Sequence, residues 1–213
     1  MNWLYYLWIP AGYLLGCINT SAIIARCKGF DIRQKGSGNA GASNALVTMG
    51  KGAAVCTALV DILKAFVPVF LLAHVLHLPA DCAHLPVLTG AAVILGHMFP
   101  FWMQFRGGKG FASLLGLTLG LDWRLFLVCI GILALLLFTT RYIALATISC
   151  AVLLPLWVYF VCSKSVFELI VLGIVSAIII SKHIQNIKRI ANGTEIRLGE
   201  KAKNAPAEQK SEE

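Results

Sequence analysis

The chain has 213 residues, of which 58% are hydrophobic and only 13% are charged, and its mean hydropathy is +0.79. A soluble domain of this length needs more charge to cover its surface, so the composition excludes an ordinary water-soluble protein and favours a membrane protein. The net charge of +8 would suit a nucleic-acid partner in a soluble protein. Here the basic residues lie between apolar runs and near the C-terminus. We therefore expect membrane lipids and phosphate groups as partners, and no nucleic acid.

Seven apolar runs can be interpreted as membrane-spanning helices, each of which needs about 20 mostly apolar residues to cross the hydrocarbon. The runs lie at 3–25, 53–76, 85–103, 111–121, 125–140, 143–161 and 166–181. The run 111–121 is too short to cross unaided. We expect the glycine-rich segment before it to dip into the membrane, as broken helices do around polar cavities.

The positions of the basic residues orient these runs. With seven spans and an outer N-terminus, the outer loops hold only Arg124 and Lys164, and Lys64 lies within a span. The remaining basic residues then lie inside, as the positive-inside rule requires. We predict an all-α integral membrane protein with seven transmembrane helices, its N-terminus outside and its C-terminus cytoplasmic. Residues 1–199 form the membrane domain, and residues 200–213, which are charged and lack aromatic side chains, form a disordered cytoplasmic tail.

The first polar segment, residues 31–51, follows the first span. It interleaves closely spaced glycines with serine and asparagine side chains: Gly36, Ser37, Gly38, Asn39, Ser43 and Asn44. Glycine lets backbone amides approach an anion closely, and the hydroxyl and amide side chains add neutral donors. A flexible cationic loop is the alternative interpretation, but such a loop does not need these polar side chains. We predict that the segment binds an anion.

Two further groups of polar residues lie in or beyond the second span. Asp61 and Lys64 are three residues apart within the membrane, where we expect them to pair with each other, and direct catalysis stays open as the alternative. Potential metal ligands are grouped on the outer side: His74, His77, Asp81, Cys82 and His84. Their spacing matches no closed zinc site, so we predict no metal.

The second polar segment, residues 97–110, reads HMFPFWMQFRGGKG. Three glycines surround Lys109, namely Gly107, Gly108 and Gly110. The backbone can therefore wrap a phosphate while the ammonium group supplies the charge. The segment lacks the first glycine and the hydroxyl residue of a nucleotide-binding P-loop, which excludes that motif. We expect His97, just inside an apolar run, to be a packed histidine rather than a base.

The third polar segment follows the last span. His183 and Asn186 are three residues apart and share one face of the predicted helix, so we expect both to bind a polar substrate. Lys188 and Arg189 are also typical of a basic helix that touches lipid headgroups. Arg141, at the inner end of another span, is either an anchor at the membrane surface or a further phosphate contact.

Together these segments resemble those of the acyl-phosphate:glycerol-3-phosphate acyltransferases of bacterial phospholipid synthesis, the PlsY family. The resemblance covers nearly the whole chain. It rests on GSGNAGASN (36–44), GKGAA (50–54), GHMFP (96–100), FRGGKGFA (105–112), RYIAL (141–145) and KHIQNIKRIANGTE (182–195). Their joint order and spacing are more specific than any single glycine loop.

The resemblance implies a seven-span enzyme of the bacterial inner membrane with its active site facing the cytoplasm. Its substrates would be an acyl phosphate and glycerol 3-phosphate, its products lysophosphatidic acid and phosphate, and it would need no cofactor. The implied catalytic residues hold the phosphate of glycerol 3-phosphate: Ser37, Lys109, His183 and Asn186. The residues expected to bind or shape the substrates are Gly36, Gly38, Asn39, Asn44, Gly107, Gly108, Gly110, Arg141 and Thr147.

The chain departs from the family's pattern at Val47, where the family usually has an arginine. Thr147 replaces a serine but keeps the hydroxyl group. Loss of the arginine removes a charge-assisted phosphate contact, typically worth about 1.5–3 kcal/mol, which Arg33 or Arg141 could replace. Two other functions stay open: a transporter of organic phosphates or other anions, although no repeated halves are visible, and an acyltransferase relative weakened by Val47.

Overall fold

The computed structural model describes residues 2–195 and Arg197, and these residues form helices and connecting loops, which confirms the predicted all-α class. The α-helices are α1 (Trp8–Gly16), α2 (Thr20–Cys27), α3 (Ala42–Met49), α4 (Lys51–Phe70), α5 (Leu85–Met98), α6 (Phe111–Leu121), α7 (Trp123–Thr139), α8 (Ile143–Trp157), α9 (Val166–Lys182) and α10 (Ile184–Ala191). Wider π turns extend α4 over Leu71–Val75 and α8 over Val158–Ser163. The predicted disordered tail at 200–213 lies outside the described residues.

Four helical stretches are long and apolar enough to cross a membrane: Trp3–Cys27, Lys51–Val75, Ala80–Met103 and Ile143–Ser163. A fifth is obtained if α9 and α10, which are bent by 49°, form one broken span. The apolar helices α6 and α7 have 11 and 17 residues. Because a helix rises about 1.5 Å per residue, both are shorter than the hydrocarbon is thick. Length and composition therefore support four to five spans, and the predicted seven are not reached by this criterion.

Glycines allow α1 and α5 to cross with their backbones in contact. A Cβ atom added at Gly16 would lie 2.2 Å from the carbonyl oxygen of Val93, and one at Gly96 would lie 2.1 Å from that of Tyr13. No side chain larger than hydrogen fits at either position. Close packing of small residues is the main way in which helices associate inside a membrane.

The short helix α6 is packed along α4 by the same means. A Cβ at Gly116 would lie 2.1 Å from the carbonyl oxygen of Ile62, and a Cβ at Gly120 would lie 2.8 Å from the side chain of Val69. Leu114 and Leu117 of α6 are fully buried in the main hydrophobic core. α6 is thus an internal element of the bundle, and its first residue follows directly on the segment that carries Lys109.

The first apolar run, predicted as a span over 3–25, corresponds to the helical stretch Trp3–Cys27, and it is interrupted between α1 and α2. Asn19 is buried at the break, and its side-chain Oδ1 accepts a hydrogen bond from the amide of Ala22 at 3.0 Å, which caps α2. Asparagine is among the strongest N-cap residues, so the break has a local cause. Asn19 Nδ2 donates to the carbonyl oxygen of Ala40 at 3.1 Å and so ties the break to the first polar segment.

Candidate active site

The first polar segment is organised by the buried side chain of Asn44. Asn44 Nδ2 donates to the carbonyl oxygens of Ile32 and Lys35 at 3.1 and 3.0 Å, while Oδ1 accepts from the amide of Ser37 at 2.9 Å. All three bonds lie within the segment. Gly36 has φ +59°, and a Cβ there would lie 2.2 Å from Asn44 Oδ1. Asn44 therefore holds the loop in shape through these buried hydrogen bonds, which we call the internal tie of the segment, and its amide is not an exposed donor.

The loop presents Ser37 at its exposed side. Gly38 follows with φ +72°, a conformation that favours glycine. The side chain of Asn39 is half-buried, and its Nδ2 lies so close to Gly41 that a Cβ there would be only 2.9 Å away. The helix α3 begins immediately afterwards. Ser37 thus has an accessible hydroxyl group, as has Ser43 at the start of α3, and the loop around Ser37 is held by glycines and by the hydrogen bonds of Asn44.

In the second polar segment, Gly107 and Gly108 pack against the end of α5. Their amides donate to the carbonyl oxygens of Met98 and His97, each at 3.1 Å. A Cβ at Gly107 would lie 2.2 Å from the carbonyl oxygen of His97, and one at Gly108 would lie 2.1 Å from His97 Nε2. The two amides are bonded within the protein here. What these glycines contribute in this structure is therefore the placement of the adjoining Lys109.

Lys109 reaches the third polar segment, where its ammonium group donates to Asn186 Oδ1 at 2.5 Å. The other side of the Asn186 amide donates to Glu195, which also forms an ion pair with Arg189 at 2.6 Å. Burial and the nearby charge of Arg189 lower the pKa of Lys109, and the charge of Glu195 partly offsets this. The result is a cation that binds a neutral oxygen and keeps its charge available for an anion.

His183 lies one turn before Asn186 and is also buried. Its Nδ1 is 2.8 Å from the carbonyl oxygen of Ile179, which can only accept, so Nδ1 carries a proton. Nε2 is then the free nitrogen of the neutral ring. This nitrogen can accept a hydrogen bond, and it becomes a donor when the ring is protonated.

These contacts join the three polar segments. Gly108 meets the first segment so closely that a Cβ there would lie 2.7 Å from the carbonyl oxygen of Ala40. Lys109, the next residue, reaches Asn186 in the third segment. The second segment is therefore the link between the other two.

Arg141 and Thr147, which lie in or near the motif RYIAL (141–145), take no part in the contacts described above. Arg141 is exposed with φ +62°, and its amide donates to the carbonyl oxygens of Leu136 and Leu137 at the end of α7. Thr147 is buried, and its hydroxyl donates to the carbonyl oxygen of Ile143 in its own helix at 3.0 Å. The structure thus gives Thr147 a partner within α8, and it places Arg141 at a turn between two helices.

Arg33 does not take over the role of the arginine that the family usually has at the position of Val47. Val47 is on α3 with 64% of its surface exposed. Arg33 forms an ion pair with Asp31 at 2.6 Å and donates to the carbonyl oxygen of Met103 at 2.8 Å. The hydrogen bond from Arg33 lowers the pKa of the Asp31 carboxyl group and raises that of the guanidinium group. Arg33 therefore connects two loops instead of presenting a free cation.

Two residues of the site, Asn19 and Glu195, were not singled out from the sequence, and one contact of His97 was not predicted. Asn19 holds the first segment through Ala40, and its position before a helical run is the signal that could have identified a cap. Glu195 orients Asn186 and Arg189, and its signal is an acidic residue just after a basic helix. The contact of His97 with Gly108 left no signal in the sequence, because it depends on the tertiary fold.

The potential metal ligands between 74 and 84 have separate partners or surroundings. His74 Nε2 donates to the carbonyl oxygen of Gly120 at 3.0 Å, His84 Nδ1 lies 2.9 Å from a carboxylate oxygen of Glu168, and Cys82 is buried. Across residues 2–195 and Arg197, no three histidine, cysteine, aspartate or glutamate side chains are grouped so as to hold a metal ion.

The helical bundle and its joined polar loops define an integral membrane protein with a cationic site suited to a phosphate group. The glycerol-3-phosphate acyltransferase family matches residues 6–193 of the chain. The chain therefore belongs to the glycerol-3-phosphate acyltransferase family. This confirms the predicted family and the prediction of an acyltransferase enzyme of phospholipid synthesis.

Curated relatives agree with this assignment. Glycerol-3-phosphate acyltransferase 1 of Oceanobacillus iheyensis is 40% identical over 191 residues, which cover 88% of this chain and 91% of the relative. The glycerol-3-phosphate acyltransferase of Mesorhizobium japonicum is 39% identical over 191 residues, covering 89% of this chain and 94% of the relative.

Solved structures also match over most of the chain. The glycerol 3-phosphate form of PlsY, an integral membrane glycerol 3-phosphate acyltransferase, superposes with a TM-score of 0.83 at 33% identity, covering 92% of this chain and 96% of PlsY. The lysophosphatidic acid form gives a TM-score of 0.79 at 32% identity, covering 92% and 95%.

Proposed function

We propose that this enzyme transfers a fatty acyl group from an acyl phosphate to glycerol 3-phosphate at the junction of the three polar segments, forming lysophosphatidic acid and inorganic phosphate. The observation that carries the proposal is the contact between Lys109 and Asn186. It brings a desolvated cation and a neutral amide together where the segments meet. Support for the acceptor comes from the PlsY structures in glycerol 3-phosphate and lysophosphatidic acid forms.

The phosphate of glycerol 3-phosphate is held by Lys109 together with Ser37, His183 and Asn186. Lys109 supplies the positive charge, the exposed hydroxyl of Ser37 donates to the phosphate, and Nε2 of His183 donates to it when the ring is protonated. Lys109 is half-buried, and such a cation attracts a phosphate more strongly than a fully exposed one, because water screens the charge less. Asn186 donates to Glu195 and therefore acts mainly by fixing the ammonium group of Lys109.

The remaining predicted residues shape the site. Gly36, Gly38 and Asn44 hold the loop that presents Ser37, with Asn39 beside it. Gly107, Gly108 and Gly110 set the path of the backbone around Lys109; Gly110 has φ +90° and begins α6. Arg141, exposed at the turn between α7 and α8, contacts the second phosphate group, that of the acyl donor. Thr147 is buried and bonded within α8, so its predicted contact with substrate is replaced by a structural one.

The chemistry requires little acid–base assistance. The hydroxyl oxygen of glycerol 3-phosphate attacks the acyl carbon, the bond from that carbon to the phosphate oxygen breaks, and the hydroxyl proton leaves with the phosphate. An acyl phosphate is a mixed anhydride, so its phosphate is a good leaving group. The enzyme contributes mainly by holding two anionic substrates together and neutralising their charge.

The proposed topology has seven spans in the bacterial inner membrane, with the N-terminus outside and the C-terminus and active site on the cytoplasmic side. It counts the short helices α6 and α7 as spans in addition to the four long ones and the bent pair α9 and α10. The burial of α6 against α4 supports a short crossing helix inside the bundle. The scarcity of basic residues outside, where only Arg124 and Lys164 remain, supports the orientation.

The test is phosphate release by the purified protein in detergent, given palmitoyl phosphate and glycerol 3-phosphate together and each alone. Release that requires both substrates, with an equal yield of lysophosphatidic acid, supports the proposal. Uptake of glycerol 3-phosphate into proteoliposomes without phosphate release would favour a transporter. Binding without turnover would favour a weakened relative. Acyl transfer from a thioester donor alone would overturn the assignment of acyl phosphate.

A further inference from the structure

A buried polar cluster lies beside the active site within the membrane bundle. It consists of Asp61 and Lys64 of α4 and His97 of α5, all nearly inaccessible to solvent. Lys64 Nζ lies 2.7 Å from Asp61 Oδ1 and 3.0 Å from His97 Nδ1, and Nδ1 is 3.5 Å from the same Asp61 oxygen. The predicted pairing of Asp61 with Lys64 is confirmed, as is the packed state of His97.

The cluster provides a hydrogen-bond donor for carbonyl groups at the break between α1 and α2. The ammonium group of Lys64 also donates to the carbonyl oxygens of Gly16 and Ile18, at 3.1 and 2.8 Å. These carbonyl groups lie at the end of α1 and just beyond it, where helices leave acceptors unpaired. An ion pair at this depth is costly unless its polar atoms have partners. The three N–H groups of Lys64 are shared among these four neighbouring acceptors.

One branch of contacts leads from Lys64 to the first polar segment. Ile18, whose carbonyl oxygen accepts from Lys64, directly precedes Asn19. Asn19 Nδ2 donates to the carbonyl oxygen of Ala40, which is three residues beyond Ser37. Movement of Lys64 would therefore be passed through the backbone of the α1–α2 break to the loop that presents Ser37.

A second branch leads from Lys64 to Lys109. An ammonium group has no acceptor, so in its contact with Lys64 the Nδ1 of His97 accepts. The opposite nitrogen, Nε2, lies against Gly108, and the carbonyl oxygen of His97 accepts from the amide of Gly108. Lys109 is the next residue, so the imidazole ring sets the position of its backbone.

We infer that the cluster of Asp61, Lys64 and His97 is a positioning device that fixes Ser37 and Lys109 relative to each other, and so determines the affinity for the phosphate of glycerol 3-phosphate. The inference rests on the proposed function of those two residues. None of the three cluster residues touches substrate in this account. They act through the two loops.

The test compares Lys64→Met and the double variant Asp61→Asn/Lys64→Met with the wild-type enzyme, and uses Lys164→Met, in an outer loop, as a control for the same side-chain change. The double variant removes both buried charges, so it leaves no unpaired ion to destabilise the bundle. We expect both cluster variants to raise the KM for glycerol 3-phosphate by about tenfold or more, because small displacements of binding groups are costly. The KM for acyl phosphate should change much less, and the control should match the wild type.

A purely structural role makes a different prediction. If the pair only balanced buried charge, the double variant would recover the wild-type KM for glycerol 3-phosphate, and this would overturn the inference. Equal increases in both KM values would also overturn it. If the Lys64 variants do not give monodisperse protein, the same inference is tested by comparing His97→Asn with His97→Leu. Asparagine keeps an acceptor for Lys64 and should raise the KM for glycerol 3-phosphate less than leucine does, and equal values would contradict the inference. If the wild-type enzyme itself does not turn over both substrates, the proposed function fails instead.

Discussion

Lys109 and Asn186 are separated by 77 positions in the chain, yet the ammonium group of one donates to the side-chain oxygen of the other at 2.5 Å. The contact joins the loop after α5 to α10, beyond the bend that follows α9. Asn186 is neutral, so it orients Lys109 without cancelling its charge. A carboxylate at the same place would neutralise the cation and reduce its attraction for a phosphate group.

The lowered pKa of Lys109 predicts how substrate affinity depends on pH. The protonated ammonium form binds phosphate, so affinity for glycerol 3-phosphate falls as pH rises through the pKa of Lys109. Because burial and Arg189 lower this pKa, the fall begins at a lower pH than for an ordinary lysine. Glu195→Gln removes the charge that raises this pKa, so the alkaline limb of a plot of log KM against pH should move to lower pH. A limb that stays in place or moves upward would contradict this.

Gly108→Ala should abolish most of the activity without removing the protein from the membrane. The added methyl group would lie 2.1 Å from His97 Nε2 and 2.7 Å from the carbonyl oxygen of Ala40, so the loop that carries Lys109 must move. We expect kcat/KM to fall by about a hundredfold, as for other small displacements of catalytic groups. The matched control is Gly131→Ala in α7, where a Cβ meets nothing within 4 Å. Similar activity in the two variants would show that the close packing at Gly108 is unimportant.

Asn44→Asp should loosen the first polar segment. Aspartate can still accept from the amide of Ser37, but it cannot donate to the carbonyl oxygens of Ile32 and Lys35. Each lost hydrogen bond costs about 1 kcal/mol, and more where an acceptor stays buried. Hydrogen–deuterium exchange should therefore become faster across residues 32–41, while exchange in α7 stays unchanged. Unchanged protection of the segment would mean that Asn44 is not its internal tie.

Val47→Arg should strengthen the binding of glycerol 3-phosphate. Val47 is exposed on α3, so a guanidinium group can be added there without disturbing the core. Charge-assisted contacts are worth about 1.5–3 kcal/mol, and exposure reduces this, so we expect the KM to fall by about threefold to tenfold. Leu46→Arg, at the neighbouring exposed position, controls for added charge. An equal effect of both substitutions would indicate general attraction rather than a specific contact.

The sequence predicted the positions of the apolar helices, because hydropathy is a local signal, whereas the contacts that join the three polar segments depend on the tertiary fold. The break at Asn19 was missed, although Asn19, Thr20 and Ser21 interrupt the apolar run there. The structural roles of Gly107 and Gly108 were also only partly predictable, because their packing against His97 is not visible in the sequence. A glycine that admits an anion and one that admits a neighbouring side chain look alike in a sequence, and only the position of His97 separates the two roles in this structure. The short helix α6 was correctly placed, but its packing on α4 needed the tertiary structure.

The role of Lys109 in acyl transfer can be measured by following phosphate and lysophosphatidic acid together, in the wild-type enzyme and in Lys109→Ala, with palmitoyl phosphate and glycerol 3-phosphate as substrates. Lys28→Ala, an exposed position at the end of α2, is the control. If Lys109 holds the substrate phosphate, the wild type gives equal yields of the two products, and kcat/KM falls by at least about a hundredfold in Lys109→Ala. Turnover by Lys109→Ala at the wild-type rate would contradict it.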